Sequence, residues 1–284
     1  MALLVQGLFM ALSVLILTYN EADNIADCLR SVSWCDDVVV LDSYSTDGTV
    51  EVARTLGARV IQHRFQDYAS QRNFGLGQIT YRYPWVFMLD ADERVTEELR
   101  PELIDAVRAA PPDVSLFRLR RRDHLYGRWI PRSSGYPTWL GRLARLGRVH
   151  AERAYNEEIR TADRVLELRH HLDHYPFNKG FHAWITKHDR YSTMEAALLG
   201  QEQPRWRWSE LLGSDPTRRR SAAKRLIYSM PFRPALVFCG LYLIRGGLFE
   251  GRAGLTFCVL RAWYEFAIDC KREELRRRAA GRPI

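Results

Sequence analysis

Asp90 and Asp92, one residue apart, close the apolar run Trp85-Val86-Phe87-Met88-Leu89. Two carboxylates at the end of a buried stretch repel each other and lose hydration, so a counter-charge is needed beside them. A hard divalent cation is the simplest, because Mg2+ and Mn2+ use one or two carboxylates together with the phosphate oxygens of a substrate. The same residues also read as a helix start: Asp92, Glu93 and Thr96 introduce TEELRPELIDAVRAA, and acids at that position favour the helix dipole. Two more polar clusters, Thr-Tyr-Asn-Glu at residues 18–21 and Asp-Ser-Tyr-Ser-Thr-Asp at 42–47, follow apolar runs in the same way. Each alone is ordinary turn chemistry. Three at one sheet edge would make a site.

The elements that must bring them together are legible as periodicity. SVLILTYNEADNIADCLRSV reads as a buried strand at 12–17, a polar turn, and a helix with Ile25, Leu29 and Val32 at helical spacing. DDVVVLDSYSTDGTVEVARTLGARVI repeats the unit, with a strand at 38–41, a helix at 49–56 and a strand at 60–61. This alternation predicts a parallel, doubly wound α/β sheet, whose ligands bind at the carboxyl ends of the strands. All three polar clusters fall at that end. FQDYASQRNFGLGQI predicts a short helix carrying Gln71, Arg72 and Asn73. Its Gly-x-Gly lacks the third glycine and the preceding strand of a dinucleotide fingerprint, and no Walker A sequence occurs, so phosphate handling falls to a metal and side chains. A helix at 96–109, a strand at 115–120, strands at 140–145 and 165–168 and a helix at 181–199 are expected further on. The basic, aromatic connection ending at Tyr136 has the make-up of a loop that covers a ligand.

Composition bounds the rest. The 284 residues, 46% hydrophobic and 27% charged, suit one large domain or a domain with an appendage. Five cysteines without a C-x-x-C pair suggest neither a zinc site nor a disulfide framework, and fit a reducing cytosol. The net charge of +8 is uneven: residues 205–233 hold eight Lys/Arg against two acids, 271–282 hold six against two, and the remainder sums to −2. Basic residues interleaved with apolar ones in the last third favour a membrane surface over nucleic acid. The apolar run at 235–244 lies between Arg233 and Arg245 and is too short for a span, which needs ~20 residues. Beyond it, Leu255, Val259, Trp263, Phe266 and Cys270 share one helical face and Arg261, Glu265 and Asp269 the other. Such an apolar face packs on its own domain or lies at a membrane interface. The apolar amino terminus lacks a basic n-region and a small-residue cleavage site. Residues 1–9 are therefore read as an extension, with Met10 as an alternative start.

In order and spacing, SVLILTYNEADNIADCLRSV, DDVVVLDSYSTDGTVEVA, DYASQRNFGLG and WVFMLDADERVTEEL resemble the inverting family-two glycosyltransferases with the GT-A fold. The nearest branch is that of lipopolysaccharide-core glucosyltransferases and exopolysaccharide enzymes. The resemblance implies a GT-A domain over residues 10–200 and a helical, basic, amphipathic, membrane-associating region over 201–284. It implies that Thr18, Asn20 and Glu21 line the nucleotide pocket, that Asp42 reads the uracil or its ribose with Ser43 and Ser45 in the same turn, and that Gln71, Arg72 and Asn73 contact the donor. Asp90 and Asp92 match the family's Asp-x-Asp motif, Asp92 as the surer ligand of Mg2+ or Mn2+ and Asp90 nearer the ribose.

An inverting transfer also needs a base that takes the acceptor hydroxyl's proton. Glu157 matches that place in the family, with Glu152 and Glu158 as alternatives. His174 falls where such enzymes place a metal or diphosphate histidine, and satisfied packing is its competing role. The implied activity is transfer of a hexose, glucose from UDP-glucose first, onto a lipid-linked saccharide or lipopolysaccharide core. The implied location is peripheral, on the cytoplasmic face of the inner membrane. A noncatalytic membrane- or polyanion-binding protein with a degenerate nucleotide site is the rival. A nucleotidyltransferase would carry a Gly-rich amino-terminal loop in place of residues 18–21.

Overall fold

The computed structural model describes residues 12–153, 157–201, 230 and 232–284. In chain order the elements are β1 (Ser13–Thr18), α1 (Ala22–Ser31), β2 (Val38–Asp42), α2 (Thr49–Thr55), β3 (Arg59–Gln62), α3 (Tyr68–Gln78), β4 (Trp85–Asp90), β5 (Glu93–Val95) and α4 (Leu99–Arg108). They continue with β6 (Val114–Leu125), β7 (Arg128–Trp129), β8 (Thr138–Arg145), β9 (His150–Glu152), β10 (Glu158–Arg160), β11 (Arg164–His174), α5 (Gly180–Gln201), α6 (Arg233–Cys239) and α7 (Gly251–Ala279). Two compact units result. One comprises Met1–His124 with Tyr136–Lys179, the other Leu125–Gly135 with Gly180–Ile284.

The first unit is built on a sheet of strand order β3-β2-β1-β4-β8-β6-β11-β5. β3, β2, β1 and β4 run parallel, and β8 is antiparallel to both β4 and β6. Val39, Val40 and Leu41 in β2 and the run from Trp85 to Leu89 in β4 are buried, as strands covered on both faces must be. Ile25, Leu29 and Val32 pack on one face of the sheet and Leu76 of α3 on the other. The register pairs Thr18 with Asp42 and Leu17 with Asp90, so the polar residues that follow each apolar run emerge in one row.

One expectation changes here. The acidic stretch after β4 does not begin a helix: Glu93 is buried in β5 and pairs with His174 of β11. α4 starts at Leu99, whose N–H donates to Thr96 Oγ1 at 3.2 Å. β9 and β10 pair antiparallel, and Glu157 directly precedes β10.

The second unit begins earlier than the composition suggests. α5 belongs to it rather than to the sheet unit, because Tyr191, Ala196 and Leu199 pack with Trp263, Tyr264 and Ile268 of α7, and Lys271 donates to the Asp189 carboxylate at 2.6 Å. The 125–135 segment belongs to it as well. On α7 the apolar face is largely outward, as the interfacial alternative requires: Leu255, Val259, Phe266 and Cys270 are exposed, Trp263 is partly buried, and Glu265 is buried on Arg233. The buried Arg233 guanidinium needs carboxylates, and Glu265 and Asp269 supply them at 3.2 and 3.0 Å. No helix among the described residues is long and apolar enough to cross a membrane. Residues 1–11 and most of the basic segment 205–233 lie outside the described residues.

Candidate active site

The turns after β1 and β2 interlock. Asp42, fully buried, accepts from Thr18 Oγ1 at 3.1 Å, from the Ser45 N–H at 3.0 Å and from Gln62 Nε2 at 3.0 Å, and Ser45 Oγ also donates to it. The Asn20 N–H donates to Ser45 Oγ at 2.8 Å, and Asn20 Oδ1 accepts the Thr46 N–H at 2.8 Å. Asn20 and Tyr44 hold left-handed backbone, φ 53° and 61°, which is disfavoured for a tyrosine above all. Strain of that kind is retained where the surrounding contacts over-determine it. Gln71 of α3 joins the same turns, donating from Nε2 to Ser43 Oγ at 3.2 Å while its Oε1 lies 2.8 Å from His63 Nδ1. Glu21 accepts from Lys179 Nζ at 3.0 Å and Asn24 Nδ2 at 2.8 Å; burial, then the Asp92 charge, raises its pKa.

Around Asp90 the charges form a chain. Arg72, almost wholly buried, donates from Nε to Glu157 Oε1 and from an Nη to Asp90 Oδ1, both at 2.8 Å. Arg142 of β8 donates to the other Asp90 oxygen at 2.8 Å and to Glu93 Oε1 at 2.6 Å. Glu93 in turn accepts the Asp90 N–H at 2.9 Å. Asp90 is thus held by two arginines, and Glu157 sits one guanidinium away from it. The Asn73 side-chain amide gives and takes hydrogen bonds with the Ala151 backbone at 2.9 and 2.7 Å, tying α3 to β9 beside Glu157. Of the alternative bases, Glu152 is exposed and Glu158, half-buried, also lines the cavity beside Glu157; they pair with Arg160 at 3.7 and 2.8 Å. Beside Glu157 opens a cavity of about 300 Å³, lined among others by Arg72, Arg118, Trp139, Gly141 and Arg142.

Asp92 points elsewhere. Its Oδ2 lies 3.3 Å from His174 Nε2, and His174 Nδ1 lies 2.6 Å from Asp123 Oδ1. Burial, then the Arg121 charge, disfavours a protonated imidazole, but Asp92 and Asp123 outweigh both and raise its pKa to about 9. Among the described residues no three His, Cys, Asp or Glu side chains gather as a ready metal cage. The His174 imidazole nitrogen and the Asp92 carboxylate face each other at ion-pair distance. These two atom types suit a divalent ion completed by phosphate oxygens, and Asp123 fixes the ring so that Nε2 faces Asp92.

The sequence reading singled out Asp90, Asp92, Arg72, Glu157 and His174. It missed Arg142, Asp123, Lys179 and Trp139. Nothing local marks Arg142 or Asp123; the pairing of β8 with β4 brings Arg142, and that of β6 with β11 brings Asp123, beside the motif.

A sheet of this order, with polar strand ends in one row and paired carboxylates beyond β4, is that of a sugar-transferring GT-A α/β domain. The description of Glycosyl transferase family 2 matches residues 13–171, more than half of the chain, which therefore belongs to that family. The lipopolysaccharide core biosynthesis glycosyltransferase LpsC of Rhizobium meliloti (strain 1021) is 29% identical over 260 residues, covering 88% of this chain and 90% of that protein. An uncharacterized glycosyltransferase of Rickettsia felis is 28% identical over 200 residues, 66% of this chain and 70% of that one. Among solved structures, glucosyl-3-phosphoglycerate synthase from Mycobacterium tuberculosis, in complex with Mn2+, UDP and glucosyl-3-phosphoglycerate, is 23% identical with a TM-score of 0.35. That overlap covers 40% of this chain and 45% of the synthase.

Proposed function

We propose that this glycosyltransferase moves a hexose with inversion from a UDP-sugar, UDP-glucose first, onto a lipid-linked saccharide or lipopolysaccharide core in cell-envelope polysaccharide synthesis. The observation that carries the reading is Arg72 bridging Glu157 and Asp90 at 2.8 Å each, with a cavity opening beside Glu157. In this reading Thr18, Asn20, Glu21, Asp42, Ser43 and Ser45 form the nucleotide side, and Asp90 lies nearer the ribose. Asp92 and His174 are the residues that hold Mg2+ or Mn2+. The ion, when bound, neutralises charge developing on the departing diphosphate. Glu157 takes the proton of an acceptor hydroxyl entering the cavity, and Arg72 holds that carboxylate in place. The protein works as a peripheral protein at the cytoplasmic membrane face, held there by its carboxyl third, where a lipid-bearing acceptor lies.

The test is binding across a panel of nucleotide sugars with Mn2+ or Mg2+ and then with chelator, for the wild type and Asp92→Ala. Metal-dependent binding of a UDP-hexose, lost in the variant, is the expected result. Tight binding that ignores both chelator and Asp92→Ala would overturn the metal assignment, and no binding by folded protein would overturn the donor class.

A further inference from the structure

The second unit exposes apolar side chains that its own core does not use. Ile244 is 87% exposed, Phe232 82%, Phe249 70%, Leu243 57% and Phe266 58%. Leu236, Leu248, Leu255 and Val259 are exposed too, and so are Tyr126 and Trp129 from the 125–135 segment, more than a hundred residues earlier in the chain. The two stretches are tied together. The Glu250 carboxylate accepts the Arg132 and Ser133 N–H groups at 2.5 and 3.0 Å and the Ser133 hydroxyl, which locks 125–135 against the start of α7.

Four exposed arginines interleave with these apolar groups. Arg132 lies 4.9 Å over the Phe249 ring and Arg252 5.5 Å over that of Tyr126. Arg245 and Arg128 stand beside the backbone of Gly135 and Gly251. Residues 125–135 and 232–259 contain one acid, Glu250, and it is buried in the clamp. The exposed charge of this surface is therefore positive only. The outward stripe of α7 adds to it, since a helix packed solely for a water-exposed fold would bury Leu255, Val259 and Phe266 and expose Glu265.

We infer that residues 125–135 and the 232–259 stretch form one surface that docks on an anionic lipid bilayer, Trp129, Ile244 and Phe249 entering the headgroup boundary and Arg128, Arg132, Arg245 and Arg252 meeting lipid phosphates. This rests on the membrane-associated reading above and adds to it a loop from the middle of the chain. Apolar and aromatic side chains set among arginines, with no exposed acid between them, match the interfacial region of an anionic membrane. A protein partner would be expected to meet such arginines with fixed carboxylates, whereas a lipid surface supplies many mobile phosphates. Each arginine near such a surface is worth about fivefold in partitioning.

Flotation of the full chain with vesicles of phosphatidylethanolamine and phosphatidylglycerol, against phosphatidylcholine alone, tests it. Binding to the anionic vesicles is expected to fall about 20-fold or more in Arg128→Glu/Arg132→Glu, and more than 10-fold in Ile244→Asp/Phe249→Asp. Arg54→Glu, on α2, should bind as wild type does. Quenching of wild-type tryptophan fluorescence by brominated lipid, reduced in Trp129→Phe, reads the same contact without depending on the folding of a charge-reversed variant. If the wild type floats and Arg128→Glu/Arg132→Glu floats equally, this inference falls while the carboxyl-terminal membrane reading stands. If the wild type does not float, both fall. Self-association abolished by Ile244→Asp/Phe249→Asp, without flotation, would assign the surface to a second copy of the chain. UDP-sugar binding, measured in parallel, keeps all of these separate from the donor reading.

Discussion

Arg72 and Arg233 are the two largest side chains with almost no solvent exposure, one in each unit, and each joins two carboxylates. Their surroundings differ. Arg72 reaches Asp90 and Glu157, which lie at a strand end and beside a cavity and keep 35% and 18% of their side-chain surface. Arg233 reaches Asp269 and Glu265, which keep 37% and 6%, so exposure alone does not separate the two clusters. A buried ion pair by itself marks no site, since desolvation costs about what the attraction returns. What sets the first apart is that Glu157 lines a cavity and Asp90 stands in the row formed by the ends of β1, β2 and β4.

Charge-neutral substitution of one carboxylate in each cluster breaks the symmetry most sharply. Glu157→Gln keeps the shape and the hydrogen bond from Arg72 but cannot take a proton. Transfer to acceptor is expected to fall about 100- to 10,000-fold, with nucleotide-sugar binding and thermal stability near the wild-type values. Glu265→Gln should leave single-turnover transfer by the folded protein unchanged. An active Glu157→Gln enzyme would move the base to Glu152 or Glu158, and the corresponding glutamine variants would then show the loss.

Removing the cations sharpens the same contrast through stability. Arg233→Met leaves the buried Glu265 with Arg261, which is one-third exposed and donates to its other oxygen at 3.0 Å, and unfolding free energy is expected to drop by about 3 kcal/mol, the low end for breaking a buried pair. Arg72→Met leaves Asp90 with Arg142 and Glu157 facing the cavity, so its stability loss should be smaller and its catalytic loss larger. Urea denaturation of the two variants reads this directly. If the double variant Arg233→Met/Glu265→Leu does not recover most of the loss, the Arg233 cluster is doing something other than balancing its own charges.

The same distinction explains what the sequence disclosed. Alternating strands and helices, the three polar clusters and the Asp-x-Asp pair are local patterns, and register alone turned them into one edge. Arg142 reaches the site through the antiparallel pairing of β8 with β4 and Asp123 through the parallel pairing of β6 with β11, which one sequence does not reveal. On α7 the apolar stripe was legible as packed or interfacial, and choosing between the two needed the contact of Glu265 with Arg233, some thirty residues away. Asn73 was legible as part of a motif, but not its contact with β9, an element the sequence pattern did not show.

Two buried histidines carry the comparison into pH. His174 in the first unit lies between Asp92 and Asp123 and is raised to about 9 despite burial and Arg121. His188 in the second stacks on Trp184 at 3.6 Å, and burial lowers it to about 4, although its Nδ1 lies 2.8 Å from the Trp184 carbonyl oxygen. The signs are opposite. A raised folded pKa gives stability that is fully present below the unfolded value near 6.5 and is lost as pH rises through 9; a lowered one gives stability present above 6.5 and lost as pH falls through 4. Within each window the single proton contributes a slope of up to about 1.4 kcal/mol per pH unit. In metal-free protein, His174→Ala should flatten the decline in melting temperature between pH 6.5 and 9 and leave the acid side alone. His188→Phe should do the reverse between pH 6.5 and 4. If Asp92 and His174 hold the ion as proposed, saturating Mn2+ with UDP should also flatten the alkaline decline of the wild type, because the metal would then take the place of the proton whose loss causes it. An alkaline decline that persists unchanged in His174→Ala would mean that another group, and not the imidazole between the two aspartates, carries that titration.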